Sequence, residues 1–221
     1  MSPTRTAVLF DLDGTLLDSI PDLSEACRRM MAELGRPPHS LEAIRTFVGK
    51  GMVNLVRRCL VESGSAQDAE VDAAVEVFRR HYAAVNGDAT TLYPGVVPAL
   101  EALAARGVPL ACVTNKPAAF TEPLLARCGI ADYFAVTVSG DTLAEKKPHP
   151  APLQHACRLL GVAPAAALMV GDSANDAEAA RAAGMPVLLV TYGYSEGRPV
   201  DSIDCDGLLS SLEDVLRHLP A

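Results

Sequence analysis

Ala7-Val8-Leu9-Phe10-Asp11-Leu12-Asp13-Gly14-Thr15 is the stretch on which the fold turns. Four apolar residues in a row predict a strand buried on both faces, the pattern of a parallel sheet covered by helices, and such strands end in the polar loops where chemistry is done. In an extended segment, side chains at i and i+2 point the same way, so Asp11 and Asp13 can face one site. Gly14 permits a turn that a side chain would obstruct and lets backbone N–H groups approach a ligand. One carboxylate can attack while the other trades a proton, and both can help hold a hard cation. Asp-x-Asp-Gly also opens calcium loops, but here loop position five is Thr15 rather than Asp or Asn, and position twelve is Asp22 rather than the bidentate Glu.

Working outward, Pro109-Leu110-Ala111-Cys112 leads into Val113-Thr114-Asn115, and Ala167-Leu168-Met169 leads into Val170-Gly171-Asp172-Ser173-Ala174-Asn175-Asp176. Helical patterns are expected from Ser19, as N-cap, to Leu34, then over 40–47, 52–62 and 68–86, with no strand among them. Asn86-Gly87-Asp88 reads as the returning turn. Beyond Tyr93-Pro94-Gly95 strand and helix alternate: helix to about Arg106, strand 109–113, helix 118–128, strand 136–139, helix 151–160, strand 167–170, helix 174–183 and a last strand 186–190. Alternation of this kind implies parallel pairing with right-handed crossovers.

The 221 residues are 49% apolar and carry a formal net charge of −8. That acidity, with no clustered basic face, argues against nucleic acid as a partner. No apolar stretch approaches the ~20 residues of a membrane span, and no leader-like segment precedes the first strand, so a cytoplasmic protein without membrane partners is expected. The six cysteines show no C-x-x-C spacing and read as reduced, buried thiols rather than disulfides or metal ligands.

Four motifs in order, Asp11-Leu12-Asp13-Gly14-Thr15, the strand-ending Thr114, Lys147 before Pro148, and Gly171-Asp172-x-x-x-Asp176, resemble those of the haloacid dehalogenase superfamily of phosphotransferases. The resemblance implies an α/β fold: a Rossmann-like parallel sheet core (1–16 and 92–221) interrupted by an all-α, C1-type cap (17–91). It supports Asp11 as the nucleophile that forms an aspartyl-phosphate, and Asp13 as the acid that protonates the leaving group and then the base that activates water. The second Asp also sets phosphatases of this superfamily apart from its dehalogenases.

Acidic residues at a helix start, such as Asp172 and Asp176, often serve only the helix dipole. Combined with Asp11 they make an oxygen-rich site suited to Mg²⁺, with Asp11 and Asp172 as ligands and, by the resemblance, the backbone carbonyl of Asp13 as a third. Asp176 is expected to act through water or by orienting Lys147 rather than by direct ligation. Thr114 and Asn115 offer donors to phosphate oxygens, as does the loop backbone at Gly14, while Lys147 balances the charge of the transferring group. Lys116 is either a substrate contact or a solvated lysine.

Phe47-Val48-Gly49-x-Gly51, Thr114-Asn115-Lys116-Pro117, Lys147-Pro148-His149-Pro150 and Thr191-Tyr192-Gly193-Tyr194 most resemble the phosphoglycolate phosphatase branch of the superfamily. That implies a small phosphorylated metabolite, 2-phosphoglycolate, hydrolysed by a monomer or homodimer. A sugar phosphate (including N-acetylmuramic acid 6-phosphate) or a β-phosphoglucomutase-like phosphomutase is the alternative. Lys50, a cation between two glycines in the expected cap, is the candidate for the substrate's second polar or anionic end.

Overall fold

The computed structural model describes residues 7–64 and 67–219; the outermost ends of the expected core segments lie outside these. Strand β1 (Ala7–Phe10) pairs in parallel with β4 (Leu110–Val113) on one side and with β6 (Ala167–Gly171) on the other. The sheet continues outward through β5 (Val136–Val138) beside β4, and through β7 (Val187–Val190) and β8 (Gly207–Leu209) beyond β6, in the order β5-β4-β1-β6-β7-β8. Every described pairing in it is parallel.

The uninterrupted apolar runs are explained by burial on both faces. Val8, Phe10, Leu110, Cys112, Leu168 and Val170 pack on one side with Leu100, Leu103 and Leu124, from helices α5 (Val96–Ala105) and α6 (Ala118–Arg127). Ala7, Leu9, Ala111, Val113, Ala167 and Met169 alternate to the other side, against Leu153, Ala156, Ala177 and Ala180 of α7 (Ala151–Leu160) and α8 (Ala174–Ala183). A period of two along each strand thus feeds two apolar layers.

Between β1 and the rest of the sheet, α1 (Ile20–Glu33), α2 (Leu41–Phe47), α3 (Met52–Glu62) and α4 (Asp68–Val85) bury an apolar cluster of their own, which Phe120 and Tyr194 also join. No helix among the described residues is long and apolar enough to cross a membrane.

Two features lie outside the sequence-based expectation. The strand at 187–190 is not the last: β8 pairs with β7 through Leu188↔Gly207 and Val190↔Leu209. β8 is three residues long and only Leu209 is buried, so it carries too little periodic signal to stand out. Second, β2 (Leu17–Asp18) and β3 (Thr91–Leu92) form a two-stranded antiparallel ribbon where the chain leaves for the helices and returns.

Asp22 ties that return. Its carboxylate, buried in the first turn of α1, accepts from the backbone N–H groups of Gly87 (2.9 Å), Ala89 (2.8 Å) and Thr90 (3.0 Å), and from Thr90 Oγ1 (2.6 Å). Removing the acceptor strands several polar donors. Asp22→Ala is therefore expected to cost about 2–3 kcal/mol in urea unfolding; an unchanged midpoint would show that water replaces the carboxylate without penalty.

Candidate active site

Because the strands are parallel, β1, β4 and β6 deliver Asp11, Thr114 and Asp172 to the same end of the sheet. Lys147, on the loop before α7, is buried among them. Its ammonium reaches Asp11 Oδ1 (2.8 Å), Asp176 Oδ1 (2.7 Å) and the carbonyl of Val113 (2.7 Å), one contact for each of its three donors. Asp13 has a lysine of its own: Lys116 Nζ lies 2.9 and 3.0 Å from its two oxygens, and Ser19 Oγ donates to Oδ1 at 2.5 Å. Ser19 occupies the N-cap of α1 as expected, but its hydroxyl serves Asp13 instead of capping the helix. The two neighbouring carboxylates are thus separated electrostatically by two different cations.

Asp11, Asp172 and Asp176 each place one carboxylate oxygen within 4.8 Å of the others. Burial pushes the Asp11 carboxyl up to about 7, against the pull of Lys147, with repulsion from Asp176 adding to it. Asp172 is held well above the usual carboxylate range, first by burial and then by Asp176 and Asp11; N–H donation from Tyr194 (2.6 Å) and Ser195 (3.4 Å) opposes this only in part. No ion pair joins Asp172 to a Lys or Arg among the described residues. A buried carboxylate in that condition, facing Asp11, is a fitting ligand for a hard cation. Asp176 is otherwise occupied: Oδ2 accepts from the N–H groups of Asp172 and Ser173 and from Ser173 Oγ, and Oδ1 accepts from Lys147. Its bonds fit the expectation that it orients Lys147.

The structure narrows the expectations for four residues. Gly14 is required for its positive φ of +90° and because a Cβ there would lie 2.3 Å from Asp172 Oδ2, but its N–H donates to the Leu17 carbonyl (2.8 Å) and is not free for a ligand. Asn115 lines the site, and its side-chain amide is spent within the protein, so the backbone N–H is the donor it can offer to a phosphate oxygen. Nδ2 donates to the carbonyls of Gly49 and Lys147 (both 2.9 Å), and Oδ1 accepts from Lys147 N–H (3.0 Å), so it holds two loops in place. Lys50 is half exposed, 3.7 Å from Glu196, and does not line the cavity above Asp11 and Asp13. Lys116 is no solvated lysine: it is buried on Asp13 with its ammonium 4.9 Å from the Tyr82 ring centroid. The signal for it was present, since Thr114-x-Lys116 repeats the i, i+2 spacing of Asp11-x-Asp13.

The cavity runs from Asp11, Asp13, Thr114 and Lys116 up to an apolar roof that includes Leu23, Val48, Met52, Leu55, Phe78 and Phe120. Thr114 Oγ1 accepts from the Lys116 N–H (3.2 Å) at its edge.

The sequence profile of the haloacid dehalogenase-like hydrolases matches residues 6–184. The chain therefore belongs to this hydrolase family. Among its relatives, it is 49% identical over 213 residues to the phosphoglycolate phosphatase of Thiobacillus denitrificans, covering 94% of this chain and 92% of that one. It is 50% identical over 208 residues to the plasmid-borne phosphoglycolate phosphatase of Cupriavidus necator, covering 94% and 90%. Among solved structures, a predicted phosphoglycolate phosphatase from Haemophilus somnus superposes with a TM-score of 0.92 at 34% identity, over 96% of this chain and 97% of that one.

Proposed function

We propose that the protein is a Mg²⁺-dependent phosphomonoesterase that turns over through an aspartyl-phosphate on Asp11 and hydrolyses 2-phosphoglycolate to glycolate and phosphate, in the cytoplasm. The observation that carries this is the pairing of two adjacent carboxylates with separate lysines, Asp11 with Lys147 and Asp13 with Lys116, at the mouth of one cavity. Residues 1–16 and 92–221 form the catalytic core in this reading, and 17–91 form the cap that roofs the site.

Asp11 attacks phosphorus in line with the ester oxygen, whose bond to phosphorus breaks as Asp13 gives it a proton. Asp13 then takes a proton from water, which attacks the acyl-phosphate and releases inorganic phosphate and free Asp11. Lys147, held by Asp176, sets the position of Asp11 and offsets negative charge on the phosphoryl oxygens. Asp11, Asp172 and the carbonyl of Asp13 would hold Mg²⁺, which when bound neutralises and orients the phosphoryl group. The roof supports a small substrate over a sugar phosphate. A sugar's hydroxyls would face Leu23, Val48, Met52, Leu55, Phe78 and Phe120 and leave polar groups without partners. The relatives' names point the same way.

Purified protein supplied with Mg²⁺ should release phosphate from 2-phosphoglycolate without a bisphosphate activator, and excess EDTA should stop it. Undiminished turnover in chelator would remove the metal from the proposal, and no release from any small phosphomonoester would remove the hydrolase. Protons should compete with the cation. With the Asp11 carboxyl at about 7 in the metal-free chain, the rise in Tm caused by Mg²⁺ should be greater at pH 8 than at pH 6. Below that pKa the apparent affinity should weaken by up to about tenfold per pH unit for each proton displaced. In the metal-free chain the same shift acts on stability directly. The unfolded carboxyl titrates near its ordinary 3.8, so the native state binds the extra proton and loses stability as pH rises from there towards 7. Metal-induced stabilisation that is flat from pH 6 to 8 would contradict this.

A further inference from the structure

Among the described residues lining the cavity, Lys116 is the single cation. Asp13 engages its ammonium at 2.9 and 3.0 Å, and an ammonium carries three donors, so at least one is left over. Tyr82, from α4, lies against it: the ring centroid is 4.9 Å from Nζ, and Tyr82 also lines the cavity. Only 2% of Tyr82 is exposed, and its hydroxyl makes no hydrogen bond among the described residues. A buried hydroxyl in an otherwise apolar wall is costly unless something accepts its proton. An anionic group on the substrate would do so.

We infer that Lys116 and Tyr82 form the subsite for the second anion of the substrate, the carboxylate of the leaving group. The inference rests on the phosphomonoesterase proposal and names what selects its substrate. The distances fit the chemistry. In 2-phosphoglycolate the carboxyl carbon is bonded to the carbon that bears the ester oxygen, so with that oxygen at Asp13 the carboxylate falls one contact further into the cavity. Lys116 stands there, already in contact with Asp13. Tyr82 lays its ring against the ammonium and adds an O–H donor on the side of the cavity that is otherwise apolar. Lys50 cannot share the task from its position against Glu196, half exposed and outside the cavity. A single lysine thereby contacts both the acid–base group and the group that distinguishes the substrate, so an ester lacking the carboxylate loses a charge-assisted contact next to the reacting atoms.

The test compares 2-phosphoglycolate with 2-hydroxyethyl phosphate, which keeps the skeleton and replaces the carboxylate by a neutral hydroxymethyl group. For wild type, Tyr82→Phe, Lys116→Met and Lys50→Ala, kcat and KM are measured on both esters with Mg²⁺ present, and folding is checked by thermal melting. Tyr82→Phe should lower kcat/KM on 2-phosphoglycolate about tenfold more than on the neutral ester, chiefly through KM. Lys116→Met should slow both through Asp13, with a further loss of about ten- to a hundredfold confined to the carboxylate-bearing ester. Lys50→Ala should move the ratio of the two by less than twofold. Equal losses on both esters for Tyr82→Phe and Lys116→Met would overturn the inference and leave the phosphatase standing, as would a selective loss in Lys50→Ala alone. Should Lys116→Met fail to fold, Tyr82→Phe decides the matter. Wild-type protein that releases phosphate from neither ester would sink the phosphatase proposal first, and this one with it.

Discussion

Asp11→Asn should lose phosphatase turnover by on the order of 10⁴-fold or more while keeping the fold. The amide fills the same space at the end of β1 and can still accept from Lys147, but it cannot form the acyl-phosphate. Lys147 keeps its bonds to Asp176 and the Val113 carbonyl, so the ammonium is not stranded. The variant should also bind Mg²⁺ more weakly, having lost one anionic ligand. A steady-state assay with saturating Mg²⁺, beside a thermal melt, checks both halves. Near-normal turnover from a folded variant would mean that Asp11 is not the nucleophile.

Lys147→Met should cost both stability and activity. Lys147 is buried, and among the described residues it is the only cation paired with Asp11 and Asp176. Without it three carboxylates remain together in a poorly solvated site, and breaking a buried ion pair from one side typically costs about 3–5 kcal/mol. Urea unfolding in the absence of metal should show a loss of that size. Mg²⁺ should recover part of it in the variant, and more than it adds to wild type, because the cation then relieves repulsion that the lysine used to offset. Activity should fall by at least about 10²-fold, since a positioned charge on the phosphoryl oxygens is lost. A variant within 1 kcal/mol of wild type and within tenfold in kcat/KM would show that the lysine is dispensable to the site.

Much of this architecture is written locally in the chain. Uninterrupted apolar runs define β1, β4, β6 and β7, and caps and glycines place α1 to α8 within a residue or two of the observed ends. Asp11, Asp13, Thr114, Lys147 and Asp172 could be named from the sequence because the rule that parallel strands end on one side carries each motif to a common edge.

Which partner each of those groups takes was decided elsewhere. Lys116 meets Asp13 across 103 residues and Asn115 meets Gly49 across 66, contacts set by sheet order and by where the helical segment returns. The i, i+2 spacing from Thr114 aims Lys116 toward the site, but its partner Asp13 lies on another strand end, and the glycines around Lys50 do not tell that it stays half exposed beside Glu196. Ser19 has the sequence of a cap and the structure of an Asp13 ligand, because the turn through Gly14 brings the carboxylate within reach of its hydroxyl. Gly14 itself is needed less for what its N–H binds than for the space Asp172 fills beside it. The chain by itself determined the elements and the candidate reacting groups, since both follow from local pattern and residue chemistry. Only the tertiary structure decided which charges pair, which polar atoms are used up inside the protein and which face the cavity, because those depend on distances between segments far apart in sequence.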